Sequence, residues 1–336
     1  MPFIPADPDE SLIFPQVYCL MMYTFIFLIS LLAIGRSGTV LVKAVTNLAR
    51  LFQVSEYSLS FILAGIATSI PELFVGLSSA VGGISDFSFG NIIGANIINV
   101  SLIIGLAAFI SGKLEIESAL SRKNFWTVFG IVLLPILLSF DGRLSRIDGA
   151  ILLGAFFFYI VIAFERGAYF TKKADNLKRD AALFKKIGRS LAAFLISAVV
   201  LLASSGLLVW SGSELASAMG IGVLVFGMIF VSVATALPEL IFGIRASLLK
   251  HGSMAVGAVM GTVAFNAGFI LGIVGLINPV AVQINPSFII SAIFIFLPFL
   301  LFNIFVATKN AISKKEGLSL FLIYIIFLIL EYLALF

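Results

Sequence analysis

Residues 252–308 are 57 consecutive positions without one Asp, Glu, Lys or Arg. About 20 apolar residues cross a bilayer as a helix, so this stretch is long enough for two crossings. The pairs Asn278-Pro279 and Asn285-Pro286 put turn residues at its middle and predict two helices, over 253–277 and 286–308. The rest of the chain has the same character. It is 61% hydrophobic and 11% charged over 336 residues, where a soluble domain carries about 25% charged residues. A water-soluble globule of this length cannot hide so much apolar surface. A transmembrane barrel is excluded as well, because its short alternating segments are missing. The expected fold class is an all-α polytopic membrane protein with ten transmembrane helices. The other eight spans fall near 11–35, 57–80, 88–111, 124–140, 147–165, 190–213, 218–244 and 317–335.

The first span is not expected to be a cleaved signal, because Asp7, Asp9 and Glu10 precede it where a signal peptide carries basic residues. Its single cysteine, Cys19, has no partner for an internal disulfide. With the acidic amino terminus outside, the cytoplasmic loops hold 18 of the 21 Lys and Arg residues. Eight of these lie in 166–189, between spans five and six, which reads as a basic cytoplasmic linker. The expected location is the plasma (cell) membrane, with the N-terminus outside.

Self-similarity changes the reading of the whole chain. Residues 67–73 read ATSIPEL and residues 234–240 read ATALPEL, an offset of 167. The same offset pairs Gly76 with Gly243, Gly90 with Gly257, Gly94 with Gly261, Asn99 with Asn266 and Gly105 with Gly272; at 168, Asp148-Gly149 pairs with Glu316-Gly317. Each half therefore carries five spans. Five is odd, so the second half enters the membrane with opposite polarity, and the ten helices form two inverted-topology five-helix repeats. The first repeat is 1–165 with its motif at 64–99, and the second is 190–336 with its motif at 231–266.

Glu72 and Glu239 lie within spans with no basic neighbour in sequence. A carboxylate at a helix centre costs about 2.5–3.5 kcal/mol on insertion scales, so a matched pair points to an ion or proton path, the alternative being two protonated groups that hydrogen-bond within the bundle. Thr68 and Thr235 precede the acids by four residues and share their helix faces. Pro71 and Pro238 lack an N–H, which leaves the carbonyls of Ala67 and Ala234 without helical partners and bends each helix. Carboxylate, hydroxyl and carbonyl oxygens without thiol or imidazole suit a hard cation such as Ca²⁺ or Na⁺. Asn99 and Asn266 follow matched glycines, and each carboxamide can ligate a cation or bridge helices.

These motifs, with GNIIGANIIN at 90–99 and GAVMGTVAFN at 257–266, resemble the calcium/cation antiporter superfamily, specifically its sodium/calcium exchanger branch. The resemblance implies a Ca²⁺ site between Thr68, Glu72, Thr235 and Glu239. It also implies Na⁺ sites drawing on Asn99, Asn266 and the hydroxyls or carbonyls of the repeats, where Ser69 and Thr262 keep family hydroxyl positions. Ala95 and Ala236 stand where the family usually has Ser, Ala67 and Ala234 where it has Gly, and Ala258 where it has Asn. The implied activity is exchange of Ca²⁺ for Na⁺ by alternating access, with the first and sixth helices sliding over a fixed core. Exchange of Ca²⁺ for H⁺ is the alternative. A cation channel fits matched Pro-broken repeats less well, and an intramembrane enzyme lacks a metal-ligand motif. The partners expected are the ions and the lipid bilayer, with no cofactor, nucleic acid or protein partner.

Overall fold

The computed structural model describes residues 10–51, 68–116, 122–165 and 181–335. Among them the helices are α1 (Glu10–Leu51), α2 (Ile70–Val81), α3 (Ser85–Ser111), α4 (Arg122–Leu138), α5 (Arg146–Glu165) and α6 (Ala181–Ala218). They continue with α7 (Val223–Thr235), α8 (Leu237–Leu248), α9 (Gly252–Ile277), α10 (Pro286–Lys309) and α11 (Lys314–Leu335). Seven of these are long and apolar enough to cross a membrane, and the count reaches eight if α7 and α8, bent by 45° at their junction, are taken together as one span. The 57-residue uncharged run divides where expected. Pro286 opens α10 in the first turn, where its missing N–H costs nothing, and the Asn285 side chain caps it by accepting from the Phe288 N–H.

Two expectations need correction. The helix expected at 11–35 continues to Leu51, 42 residues in all, about 63 Å at 1.5 Å per residue. This is twice the roughly 30 Å hydrocarbon core, so Arg36, Lys43 and Arg50 extend a helix rather than end it. The linker expected at 166–189 is helical from Ala181, because Lys185, Lys186 and Arg189 are good helix formers and simply extend α6; residues 166–180 lie outside the described residues. The all-α expectation holds, and the connections between helices add four short strands of two or three residues. β1 (Lys113–Glu115) pairs antiparallel with β4 (Ala311–Ser313), and β2 (Arg143–Leu144) with β3 (Val280–Ala281). Of the second expected span, 57–80, residues 57–67 lie outside the described residues.

Both ladders join the two halves of the sequence, and so do the matched glycines. A Cβ on Gly105 would lie 2.9 Å from the Gly317 carbonyl oxygen, and one on Gly317 2.8 Å from that of Gly105. The same contact recurs between Gly149 and Gly272, at 2.7 and 3.0 Å. Only a residue without a side chain lets backbones come this close. Thus α11 crosses α3, and α5 crosses α9, at points marked by the repeat. The neighbouring pair Asp148 and Glu316 also acquires a reason. Each carboxylate accepts from the N–H and hydroxyl of a serine three residues earlier, Ser145 and Ser313, forming matched caps at the starts of α5 and α11. The interior of the bundle is built by α3 and α9, which are buried along most of their length.

Candidate functional site

Glu72 and Glu239 do not sit in continuous helices, as their position within apolar spans suggests. Each lies in the first turn of a short helix, α2 or α8, that starts anew inside the bundle with Pro71 or Pro238 in that same turn. The break follows from proline chemistry. A ring that lacks an N–H and clashes with the preceding turn is tolerated at a helix start and not in its interior. A consequence for the acids follows, because the first turn exposes backbone N–H groups and the positive end of the helix dipole, which favours a carboxylate by up to about 2 kcal/mol when partly buried. Both side chains are almost fully buried, Glu72 at 1% and Glu239 at 5% exposure.

The hydroxyls cross between halves. Thr68, from the first repeat, lies against Glu239, while Thr235, from the second, lies against Glu72, and the two carboxylates are close enough to feel each other's charge. Thr68 Oγ1 is also 3.3 Å from Thr262 Oγ1, which brings a hydroxyl of α9 to the same place. Thr235 Oγ1 donates towards Asn91 Oδ1 at 3.4 Å or to the Ser232 carbonyl. Ser69 is buried at the turn before α2, and its carbonyl accepts from the Leu73 N–H. Ala234 is partly buried one residue before Thr235, in the last turn of α7. Ala67 lies outside the described residues.

Asn99 and Asn266 are placed by a feature that hydropathy does not reveal. Each sits in a π-helical segment, Ile98–Ile103 in α3 and Phe265–Ile270 in α9, at the same offset of 167. A third such segment, Gly227–Val231, precedes Thr235 in α7. Single π turns inside α-helices re-aim side chains and recur at functional sites. The segment bearing Asn266 packs against α2, the helix of Glu72, and the segment bearing Asn99 packs against α8, the helix of Glu239. Asn99 donates from Nδ2 to the Ala95 carbonyl at 2.8 Å, which leaves its Oδ1 directed elsewhere.

Among the described residues, Glu72 Oε2, both carboxylate oxygens of Glu239, Asn99 Oδ1 and Asn266 Oδ1 are buried without a hydrogen-bond donor of ordinary geometry. A buried acceptor left unsatisfied costs about 1–3 kcal/mol. Several in one region, all oxygen and carrying two formal charges, are what a hard cation satisfies. No group of three His, Cys, Asp or Glu gathers among the described residues, so among them the oxygens beside the two glutamates are neutral ones.

Asn91 and Asn96, also fully buried in α3, escaped the sequence reading. Asn91 receives the Thr235 hydroxyl while its Nδ2 is unpartnered among the described residues, as are both polar atoms of Asn96. The signal was a carboxamide within a span. Pairing by symmetry passed over it because the matched positions are Ala258 and Val263.

A profile of the family described as "Sodium/calcium exchanger protein" matches residues 22–165 and 189–333. The chain is 28% identical over 266 residues to the inner membrane protein YrbG of Escherichia coli (strain K12), covering 77% of this chain and 81% of that protein. It is 27% identical to the sodium/calcium exchanger MaX1 of Methanosarcina acetivorans, over 90% of this chain and 97% of the relative. A solved structure of the sodium-calcium exchanger NCX_Mj superposes with a TM-score of 0.63 at 25% identity, covering 92% of this chain and 98% of that one. The crystal structure of the H⁺/Ca²⁺ exchanger CAX gives a TM-score of 0.72 at 18% identity, over 97% and 89%, a likeness of fold.

Proposed function

The chain belongs to the sodium/calcium exchanger protein family, and from that premise we propose that it is an antiporter that exchanges Ca²⁺ for Na⁺ by alternating access. It is an integral membrane protein, and its family is one of transporters, not enzymes. The observation that carries the reading is the pair Glu72 and Glu239, buried at the starts of two half-helices among oxygens without donors. With both acids ionised the site holds two negative charges. One Ca²⁺ balances them, and so do two monovalent cations. A doubly charged empty site is costly to carry through a low-dielectric interior, so the carrier reorients readily only when loaded. This condition separates exchange from leak.

In this reading Thr68, Thr235 and the two glutamates hold Ca²⁺, and Asn99, Asn266, Ser69, Thr262 and the carbonyls of Ala67 and Ala234 complete the Na⁺ positions. Residues 1–165 and 190–336 act as two inverted five-helix halves, joined by 166–189 on the cytoplasmic side, in the plasma membrane with the N-terminus outside. The ladders and glycine crossings that link one half to the other support a pseudo-two-fold arrangement.

A second reading, Ca²⁺ for H⁺, is favoured by Ala95 and Ala236, both buried where relatives of the family usually offer a serine hydroxyl. Two protons balance two carboxylates as well as two Na⁺ do, and they need fewer ligands. Calcium uptake into proteoliposomes decides between them. An outward Na⁺ gradient at uniform pH is expected to drive uptake. Uptake driven by a pH gradient and indifferent to Na⁺ overturns the first reading in favour of the second, and uptake driven by neither overturns both.

A further inference from the structure

Glu331, in the last turns of α11, has no accessible surface and stands outside the paired-glutamate site. It does not belong to the repeat, since the position 168 residues earlier is Ala163. Its partners among the described residues are neutral hydroxyls. Oε1 lies 3.5 Å from Ser291 Oγ, Ser287 approaches the same carboxyl group, and Oε2 has no partner among the described residues. The elements packed most extensively on α11 are α10, β4 and the 98–111 part of α3. Of these, only α10 carries a charged residue, Lys309, at the end opposite Ser287 and Ser291. Asp86, at the start of α3, accepts from the Phe87 N–H. On α11 itself Lys314, Lys315 and Glu316 occupy the far end, Tyr324 lies two turns away, and Tyr332 is exposed. A carboxyl group so enclosed offers its neighbours different hydrogen bonds when it holds a proton and when it does not.

The proton has a structural consequence because Ser291 has one hydroxyl hydrogen and three acceptors. They are the Ser287 carbonyl at 2.7 Å, Met228 Sδ at 2.9 Å and Glu331 Oε1 at 3.5 Å. An ionised carboxylate is the strongest of the three and draws the hydrogen to itself. A protonated one becomes the donor, and Ser291 turns its hydrogen to Ser287 or Met228. Met228 belongs to the π segment of α7. Its carbonyl accepts from the Ser232 hydroxyl, and the Ser232 carbonyl lies 3.4 Å from Thr235 Oγ1, the group that faces Glu72.

We propose that Glu331 is a proton-binding site, separate from the paired glutamates, and that its occupancy modulates transport through Ser291, Met228 and the π segment of α7. The coupling rests on the antiport reading, whereas the proton site does not, and the test separates them. Infrared difference spectra of the full-length protein across pH report the carbonyl stretch of protonated carboxyl groups. Wild type is expected to show a titrating band that Glu331→Gln lacks and Ser291→Ala keeps. Calcium flux is then measured with equal pH on both sides. Glu331→Gln, neutral at every pH, should show at high pH the rate that wild type shows only at low pH, and Ser291→Ala should lose the same component. A band unchanged in Glu331→Gln overturns the proton site. Superimposable flux profiles of wild type and both variants overturn the coupling. If wild type carries no calcium, the antiport reading has failed, and the infrared result alone decides the proton site.

Discussion

The pair α3 and α9 and the pair α1 and α6 are equally apolar in sequence and opposite in structure. In α3 and α9, 83% and 78% of the span is buried, against 17% and 33% in α1 and α6. Mean hydropathies of 2.1 and 1.9 for the first pair and 2.1 and 2.4 for the second do not separate them. What separates them is the small and polar content of the buried pair. Glycines at crossings and carboxamides at π segments require close partners, since lipid offers neither packing for a bare backbone nor hydrogen bonds for an amide. The α1 and α6 helices pack mainly on each other and present Leu32, Ile196 and Val199 outwards. In the proposed antiport, the buried pair holds the fixed geometry and the outer pair moves against it.

The largest effect expected from this contrast is at the acids packed against the buried pair. Glu72→Gln or Glu239→Gln should reduce calcium flux to that of protein-free liposomes while leaving the protein folded, because one carboxylate cannot balance a divalent ion. Flux near the wild-type rate in either variant removes the site from the core. The next largest is at the boundary between fixed and outer helices. Ser78 Oγ of α2 lies 2.6 Å from Ser205 Oγ of α6. With Cys19→Ser as background, Ser78→Cys with Ser205→Cys should crosslink on oxidation, stop most of the transport and recover it on reduction, with calcium binding retained. Full transport by the crosslinked protein breaks the idea that α6 slides over the core. The smallest is in stability. Gly149→Ala puts a methyl 2.7 Å from the Gly272 carbonyl oxygen and should cost about 1–3 kcal/mol as overpacking does. Gly206→Ala on α6 meets nothing within 4 Å and should be neutral or gain up to about 1 kcal/mol from helix propensity. Thermal denaturation in detergent reads both, and equal shifts dissolve the distinction between the two pairs.

Much of the protein was legible from residues alone. An apolar run can satisfy its backbone in lipid only as a helix, so the spans follow from hydropathy, and the offset of 167 marks both acids, both threonines and both late asparagines. The family resemblance rested on the same motifs. Tertiary structure alone decided that Glu72 and Glu239 begin half-helices, because a proline read along the chain signals a bend without saying which side of it becomes a new helix start. It also decided the π segments under Asn99 and Asn266, since an extra residue in a turn is held by packing against α8 and α2 and leaves no mark in periodicity. Asn91, Asn96 and Glu331 have no counterpart in the other half, so symmetry could not select them, and their environments come from helices distant in sequence. Hydropathy records how apolar a face is, and only packing records what that face meets.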